Sequence, residues 1–166
     1  WRSDLGYLID KYQHWSSYEP EDKGIFIAHA SIYGNTAKAA EKLKEILEEA
    51  GEEKVVIADL CHEDMHEAVE DAFRYDRVVL AAASYDGGVF PPMAEFLHHL
   101  KMKNYQKRTV ALMENGSWGP TAGRVMKAEL EGMKSMEIME SVITIKSAMK
   151  PENVEQMKEL AKLLVK

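Results

Sequence analysis

The feature that most constrains this chain is an alternation of five short apolar runs with five segments of helical period. The runs are GIFIAHA (24–30), EKVVIADL (53–60), YDRVVLAAAS (75–84), KRTVALMEN (107–115) and ESVITIK (140–146). Their continuous, β-branched character predicts strands buried on both faces. The intervening segments, 35–50, 62–73, 92–103, 121–133 and 151–165, carry helical periodicity, with Gly51 as a stop signal and Pro151 suited to a first turn. Strict alternation of this kind implies crossover connections and a parallel sheet covered by helices on both sides, a three-layer α/β domain. A length of 166 residues, 46% of them hydrophobic, fits one such domain with a sizeable core.

Charge and cysteine usage narrow the partners. A formal net charge of -7 with no basic block makes a nucleic-acid backbone or an anionic membrane a poor partner, and a basic or neutral protein a better one. Cys61 is the single cysteine, so an internal disulfide is excluded. No signal-peptide pattern or membrane-length apolar run is present, and a cytoplasmic location is expected. The opening WRSDLGYLIDKYQHWSSYEPEDKG reads as a short amphipathic helix leading into a polar segment, with 16–23 as a linker. The expected division is 1–23 as the end of a preceding domain and its linker, and 24–166 as the α/β domain, so that the chain is a piece of a longer polypeptide.

In a sheet of this class ligands gather beyond the carboxyl ends of the strands, at the point where the chain reverses its order. Three loops there are unusual. The first is Ser31, Ile32, Tyr33, Gly34, Asn35 and Thr36, directly before a helix. Hydroxyls, a glycine able to adopt positive φ and a helix N-terminus, capped by Asn35 or Thr36, make a phosphate cradle that needs no Lys or Arg. The same residues also suit an ordinary strand-to-helix turn. No Walker lysine and no spaced dinucleotide glycines are present, which argues against triphosphate hydrolysis and dinucleotide binding. The second loop, SYDGGVFPP (84–92), offers Ser84, an aromatic face at Tyr85, then Asp86 and Gly87 in a stretch where backbone can approach a flat ligand. The third, ENGSWGPTAG (114–123), holds Asn115, Gly116, Ser117 and Trp118. A phosphate cradle and two aromatics at one sheet edge suit a phosphorylated planar cofactor.

These loops resemble a known family. The first is similar to the S/T-x-x-G-N-T phosphate loop of flavodoxins, and ASIYGNT, SYDGGVFPP and NGSWGPTAG, with the lead-in YQHWSSY, resemble the C-terminal flavodoxin-like domain of flavodiiron proteins. The resemblance covers nearly the whole chain. It implies a flavodoxin-like fold with a five-stranded parallel sheet of order 2-1-3-4-5, and FMN as cofactor. It assigns the FMN phosphate to Ser31 through Thr36, the ring and ribityl chain to Ser84, Tyr85, Asp86 and Gly87, and closure of the other side to Asn115, Gly116, Ser117 and Trp118. The family usually has Asn at the position of Asp86, and a carboxylate there would disfavour the second reduction of the flavin.

The resemblance further implies an electron-transfer domain of an oxygen or nitric oxide reductase. Electrons would come from a redox protein or reductase and pass to a di-iron site in a metallo-β-lactamase-like domain, within a head-to-tail homodimer. The di-iron motif H-x-E-x-D-H is absent, and the six histidines lack its spacing; His62 and His66 at i, i+4 read as an exposed helix face. No side chain is expected to act as a nucleophile or general base. The competing expectations are an FMN-dependent NAD(P)H reductase, a stand-alone flavodoxin-like carrier, a structural domain with a vestigial site, and a signalling receiver. The receiver would need an acidic cluster where this chain has His29-Ala30-Ser31.

Overall fold

The computed structural model describes residues 4–165, so Trp1 to Ser3 of the lead-in and Lys166 lie outside it. Helix α1 (Leu5–Ser17) precedes β1 (Asp22–Ala30), α2 (Asn35–Glu49), β2 (Val55–Asp59), α3 (Met65–Arg74) and β3 (Tyr75–Tyr85). There follow β4 (Gly88–Val89), α4 (Pro91–Met102), β5 (Thr109–Asn115), α5 (Ala122–Glu131), β6 (Glu137–Ile145) and α6 (Pro151–Leu164).

The main sheet runs β2-β1-β3-β5-β6 with every pair parallel, which is the expected 2-1-3-4-5 order once β4 is set aside. Alternate residues of each strand enter opposite layers, as a period of two dictates. Phe26, Ala28 and Ala30 of β1 join Val78 and Leu80 of β3 in a core covered by α3, α4 and α5. Ile25 and Ile27 join Val79, Ala111 and Met113 in a second core against α2 and α6. Both faces of the central strands are therefore dry, which is why they read as unbroken apolar runs.

Several boundaries differ from the sequence reading for local reasons. The segment 84–92 is not an open loop throughout: β4 pairs antiparallel with β3 in a two-residue hairpin, adding a sixth strand to the expected five. Asp86 and Gly87 have φ of 47° and 70°, the two positive values a type I′ turn requires, and Asp-Gly is a preferred pair for it. Helix α3 starts at Met65 because the Asp64 carboxylate accepts from the His66 N–H at 2.7 Å. His62 is thus outside the helix, with Nδ1 2.7 Å from Asp59 Oδ2, and the expected His62/His66 helical pair does not form. Strand β6 begins at Glu137, with a register shift against β5 between Val110 and Leu112. The half-exposed edge strand carries little periodicity there.

The stretch read as a linker, 16–23, holds the last turn of α1 and the start of β1. Its middle is fastened to the domain: Arg108 donates to the carbonyls of Tyr18 (2.7 Å) and Phe73 (2.5 Å), and Lys107 to the Ser17 carbonyl (3.0 Å). Helix α1 has no buried residue, and leaves Leu5, Ile9, Tyr12 and Trp15 exposed along one side. No described helix is long and apolar enough to cross a membrane.

Candidate functional site

The chain leaves β1 for α2 and β2 on one side, then returns across β1 to β3 and β5 on the other, so the connections diverge beyond the carboxyl ends of β1 and β3. A cavity of about 170 Å³ lies there. Ser31, Ile32, Tyr33, Asn35 and Thr36 form one wall, Ala83 and Ser84 the floor, and Asn115, Gly116 and Ser117 another wall. The structure therefore brings residues of all three singled-out loops to one cavity. Gly34, Tyr85, Asp86, Gly87 and Trp118 do not line it, although they adjoin lining residues in the chain. Tyr33 is 92% exposed and Trp118 fully exposed, while Tyr85 packs against Phe90 with ring centroids 5.8 Å apart.

The first loop is shaped by backbone rather than by a capping side chain. Gly34, with φ 87°, is the N-cap of α2, and neither Asn35 nor Thr36 caps the helix as the sequence suggested. No atom lies within 4 Å of where a Gly34 Cβ would stand, so its conformation, not crowding, is what asks for glycine. The Ser31 hydroxyl accepts from the Gly34 N–H at 3.0 Å, which folds the loop back on itself and leaves the hydroxyl hydrogen free to donate. The Cys61 thiol, 3.7 Å from the Ser31 carbonyl, braces the loop from β2's side. The first intrahelical bond runs from the Lys38 N–H to the Gly34 carbonyl at 3.0 Å. The N–H groups of Asn35, Thr36 and Ala37 consequently face outward with no side chain capping them.

The neighbouring helices at this sheet edge contrast with α2. Helix α4 begins with Pro91 and Pro92, which carry no N–H. At α5 the Ser84 hydroxyl accepts from Thr121 N–H (2.8 Å) and Ala122 N–H (3.1 Å), and Glu114 Oε2 accepts from Gly123 N–H at 2.7 Å. Helix α6 opens with Pro151, and the Asn153 N–H bonds to the Lys150 carbonyl at 3.0 Å. Among the described helices at this sheet edge, only α2 offers three consecutive free donors and the positive end of its dipole to the cavity. A phosphate ester fits these residues, and the exposed aromatics at the rim fit a flat ring attached to it.

Two side chains expected to meet the cofactor make their bonds to the protein. Ser84 caps α5, and the Asn115 amide is joined to the Ser147 backbone through Nδ2 (2.8 Å) and Oδ1 (3.2 Å). Sequence reasoning missed Ser147, which also lines the cavity, and Glu114, 8% exposed, whose Oε1 accepts from the Thr144 hydroxyl at 2.9 Å. A lone carboxylate inside an apolar run was the available signal for Glu114; Ser147 carried none. Near β1, Asp59 Oδ1 accepts from the Cys61 N–H at 2.9 Å. Burial opposes ionisation of Asp59, yet the His62 and Cys61 bonds hold its carboxyl below the usual range. Burial pushes the Cys61 thiol up, which disfavours its thiolate. Among the described residues no group of three or more His, Cys, Asp or Glu is arranged to hold a metal.

Comparison with known proteins agrees with this fold. The chain is 25% identical over 126 residues to the anaerobic nitric oxide reductase flavorubredoxin of Aeromonas salmonicida (strain A449), a match covering 75% of this chain and 24% of that protein. Among solved structures, rubredoxin oxygen:oxidoreductase from Desulfovibrio gigas superposes with a TM-score of 0.85 at 19% identity, over 96% of this chain and 39% of that one. The flavodiiron protein from Giardia intestinalis gives a TM-score of 0.85 at 19% identity, over 98% of this chain and 41% of that one. The chain thus spans about a quarter of the first relative and about two fifths of the two solved chains. The flavodoxin domain model matches residues 26–136, from β1 to the threshold of β6 and across all three loops. With that match over most of its length, the chain belongs to the flavodoxin domain family, with FMN as its cofactor.

Proposed function

We propose that this chain is the FMN-binding electron-transfer domain of a flavodiiron-type reductase. It relays electrons from a redox protein or reductase to a di-iron site held in a separate metallo-β-lactamase-like domain, where oxygen or nitric oxide is reduced. The observation that carries the reading is the free N-terminus of α2, with the donors of Asn35, Thr36 and Ala37 beside the Ser31 hydroxyl. Bound FMN supplies the redox chemistry, exchanging electrons singly or in pairs.

The chain's own residues bind, orient and screen. Ser31 through Thr36 hold the phosphate without a cation, by backbone donors and helix dipole. Ser84 to Gly87 and Asn115 to Trp118 flank the ribityl chain and ring. Tyr33 and Trp118, exposed at the rim, are free to stack on the ring. Two features support a larger assembly. The apolar side of α1, with Leu5 67%, Ile9 54%, Tyr12 69% and Trp15 60% exposed, suits contact with a further domain and supports 1–23 as the end of one. The net charge of -7 suits steering of a basic electron donor, and a homodimer would bring a second subunit's di-iron domain to the flavin edge. A cytoplasmic setting is part of this reading, in keeping with a single cysteine.

The test is titration of the purified chain with FMN and with riboflavin, followed by reduction trials. Stoichiometric FMN binding, much weaker riboflavin binding, and reduction by a reductase system but not by NAD(P)H alone are expected. Rapid reduction by NAD(P)H alone would overturn the relay in favour of a direct reductase, and no flavin binding would remove the function altogether.

A further inference from the structure

The cavity beside α2 has a wall that belongs to none of the three loops. Ser147, in the connection from β6 to α6, lines it together with Ser31, Asn35 and Thr36. Its φ is 67°, in the left-handed region, which costs a residue with a Cβ roughly 1–2 kcal/mol. Something must hold it there. Asn115 does so from both sides, Oδ1 accepting from the Ser147 N–H (3.2 Å) and Nδ2 donating to the Ser147 carbonyl (2.8 Å).

The rest of the connection is pinned with the same care. Asn153 Oδ1 accepts from the Lys150 N–H at 3.0 Å and its Nδ2 donates to the Thr144 carbonyl at 3.1 Å. The Thr144 hydroxyl in turn donates to Glu114 Oε1 at 2.9 Å. Asn115, Asn153 and Glu114 are only 9%, 3% and 8% exposed. Buried polar side chains are costly unless satisfied, and satisfied networks fix geometry. Here three of them fix one short connection. Glycine would meet no penalty at this φ. Serine adds a hydroxyl, and because Asn115 engages only the Ser147 backbone, that hydroxyl, on an exposed residue lining the cavity, is available to a ligand.

The cavity's size says which part of the ligand it meets. At about 170 Å³, and lined by the α2 N-terminus, it accommodates the phosphate end of a flavin nucleotide rather than the three-ring system, whose expected neighbours Tyr85, Asp86 and Trp118 lie outside it. We propose that Ser147 is a phosphate ligand, its hydroxyl donating to the phosphate across from the α2 donors, and that Asn115 is the residue that positions it. The proposal rests on the FMN reading above and adds a fourth segment to the site.

The experiment titrates the parent chain and Ser147→Gly with FMN, riboflavin and inorganic phosphate, the last as a competitor of FMN. Glycine keeps the left-handed backbone accessible and removes the hydroxymethyl group, the hydroxyl together with its Cβ. The expected result is about tenfold weaker FMN binding, as for a lost hydrogen bond to a charged group, and phosphate competition weakened by a similar factor. Riboflavin affinity should be unchanged. In an Asn115→Ala background the FMN-to-riboflavin ratio should already be reduced, and Ser147→Gly should lower it no further. Unchanged FMN affinity in Ser147→Gly, or equal losses for FMN and riboflavin, would overturn the proposal while leaving the FMN reading intact. A parent chain that binds neither flavin would overturn both.

Discussion

The Ser84 hydroxyl accepts hydrogen bonds from the N–H groups of Thr121 and Ala122, at 2.8 and 3.1 Å, and so ties the end of β3 to the start of α5. The contact is close-packed: a Cβ on Gly116 would stand 3.1 Å from the same hydroxyl and 3.0 Å from Pro120 Cα. Ser84→Ala should leave two helix donors unmet and cost about 1–2 kcal/mol of stability, as loss of an N-cap does. It should also weaken FMN binding several-fold, because 116–121 is anchored there. Urea unfolding with and without FMN measures both effects; an unchanged unfolding midpoint would refute the anchoring role.

The parallel strands were legible because burial on both faces leaves an unbroken apolar run, as in YDRVVLAAAS. The hairpin at Asp86 and Gly87 was not, although Asp-Gly is its signature, because a two-residue strand has no periodicity to read. The first loop's residue types suggested a phosphate cradle. Its actual device, an uncapped helix behind Gly34 at φ 87°, depends on a backbone conformation that composition permits without requiring. Glu114 and Ser147 stayed hidden for a related reason: their roles come from partners 9, 30 and 32 residues away in sequence. Side-chain bonds between separate crossover units leave no periodic trace.

Placing a carboxylate on the α2 N-terminus should separate stability from function. Asn35→Asp puts a negative charge in the first turn, where it interacts favourably with the helix dipole, by roughly 0.3–1 kcal/mol. The same charge would repel a bound phosphate at close range, where a few kcal/mol of Coulomb energy is expected at intermediate dielectric. FMN affinity should fall by at least about tenfold and riboflavin affinity should change little. Thermal unfolding of the flavin-free chain would show an equal or higher midpoint. Equal loss of both flavins would place the phosphate elsewhere.

Asp86 is suited to a clean electrostatic test. It occupies the turn at φ 47°, a conformation Asn tolerates equally well, so Asp86→Asn should preserve the hairpin and remove only the charge. With the carboxylate gone, the reduced and more negative flavin should be less disfavoured. The second one-electron potential should rise by about 60 mV, the equivalent of a tenfold change in the equilibrium for one electron. Spectroscopic redox titration of the two proteins with FMN bound measures this. Coincident potentials would show that Asp86 does not face the ring.

His29, at the end of β1, should make the domain sensitive to acid. It is 5% exposed, and its Nδ1 has no hydrogen-bond partner. Burial holds its pKa below the ordinary 6.5; the charges of Asp59, Glu63 and Glu41 oppose that shift, while His62 adds to it. Below pH 6.5 the unfolded chain therefore takes up a proton that the folded chain refuses, so more protons are bound in the unfolded state and stability falls as pH falls. The limiting slope for one such group is about 1.4 kcal/mol per pH unit, reached between the unfolded and folded pKa values. Above the unfolded value the group contributes no pH dependence. His29→Leu should flatten this acid limb while leaving the neutral region's pH profile parallel to the parent's. Urea midpoints measured at intervals from pH 8 to 5 decide the matter: if the two proteins lose stability equally on acidification, the sensitivity does not reside in His29.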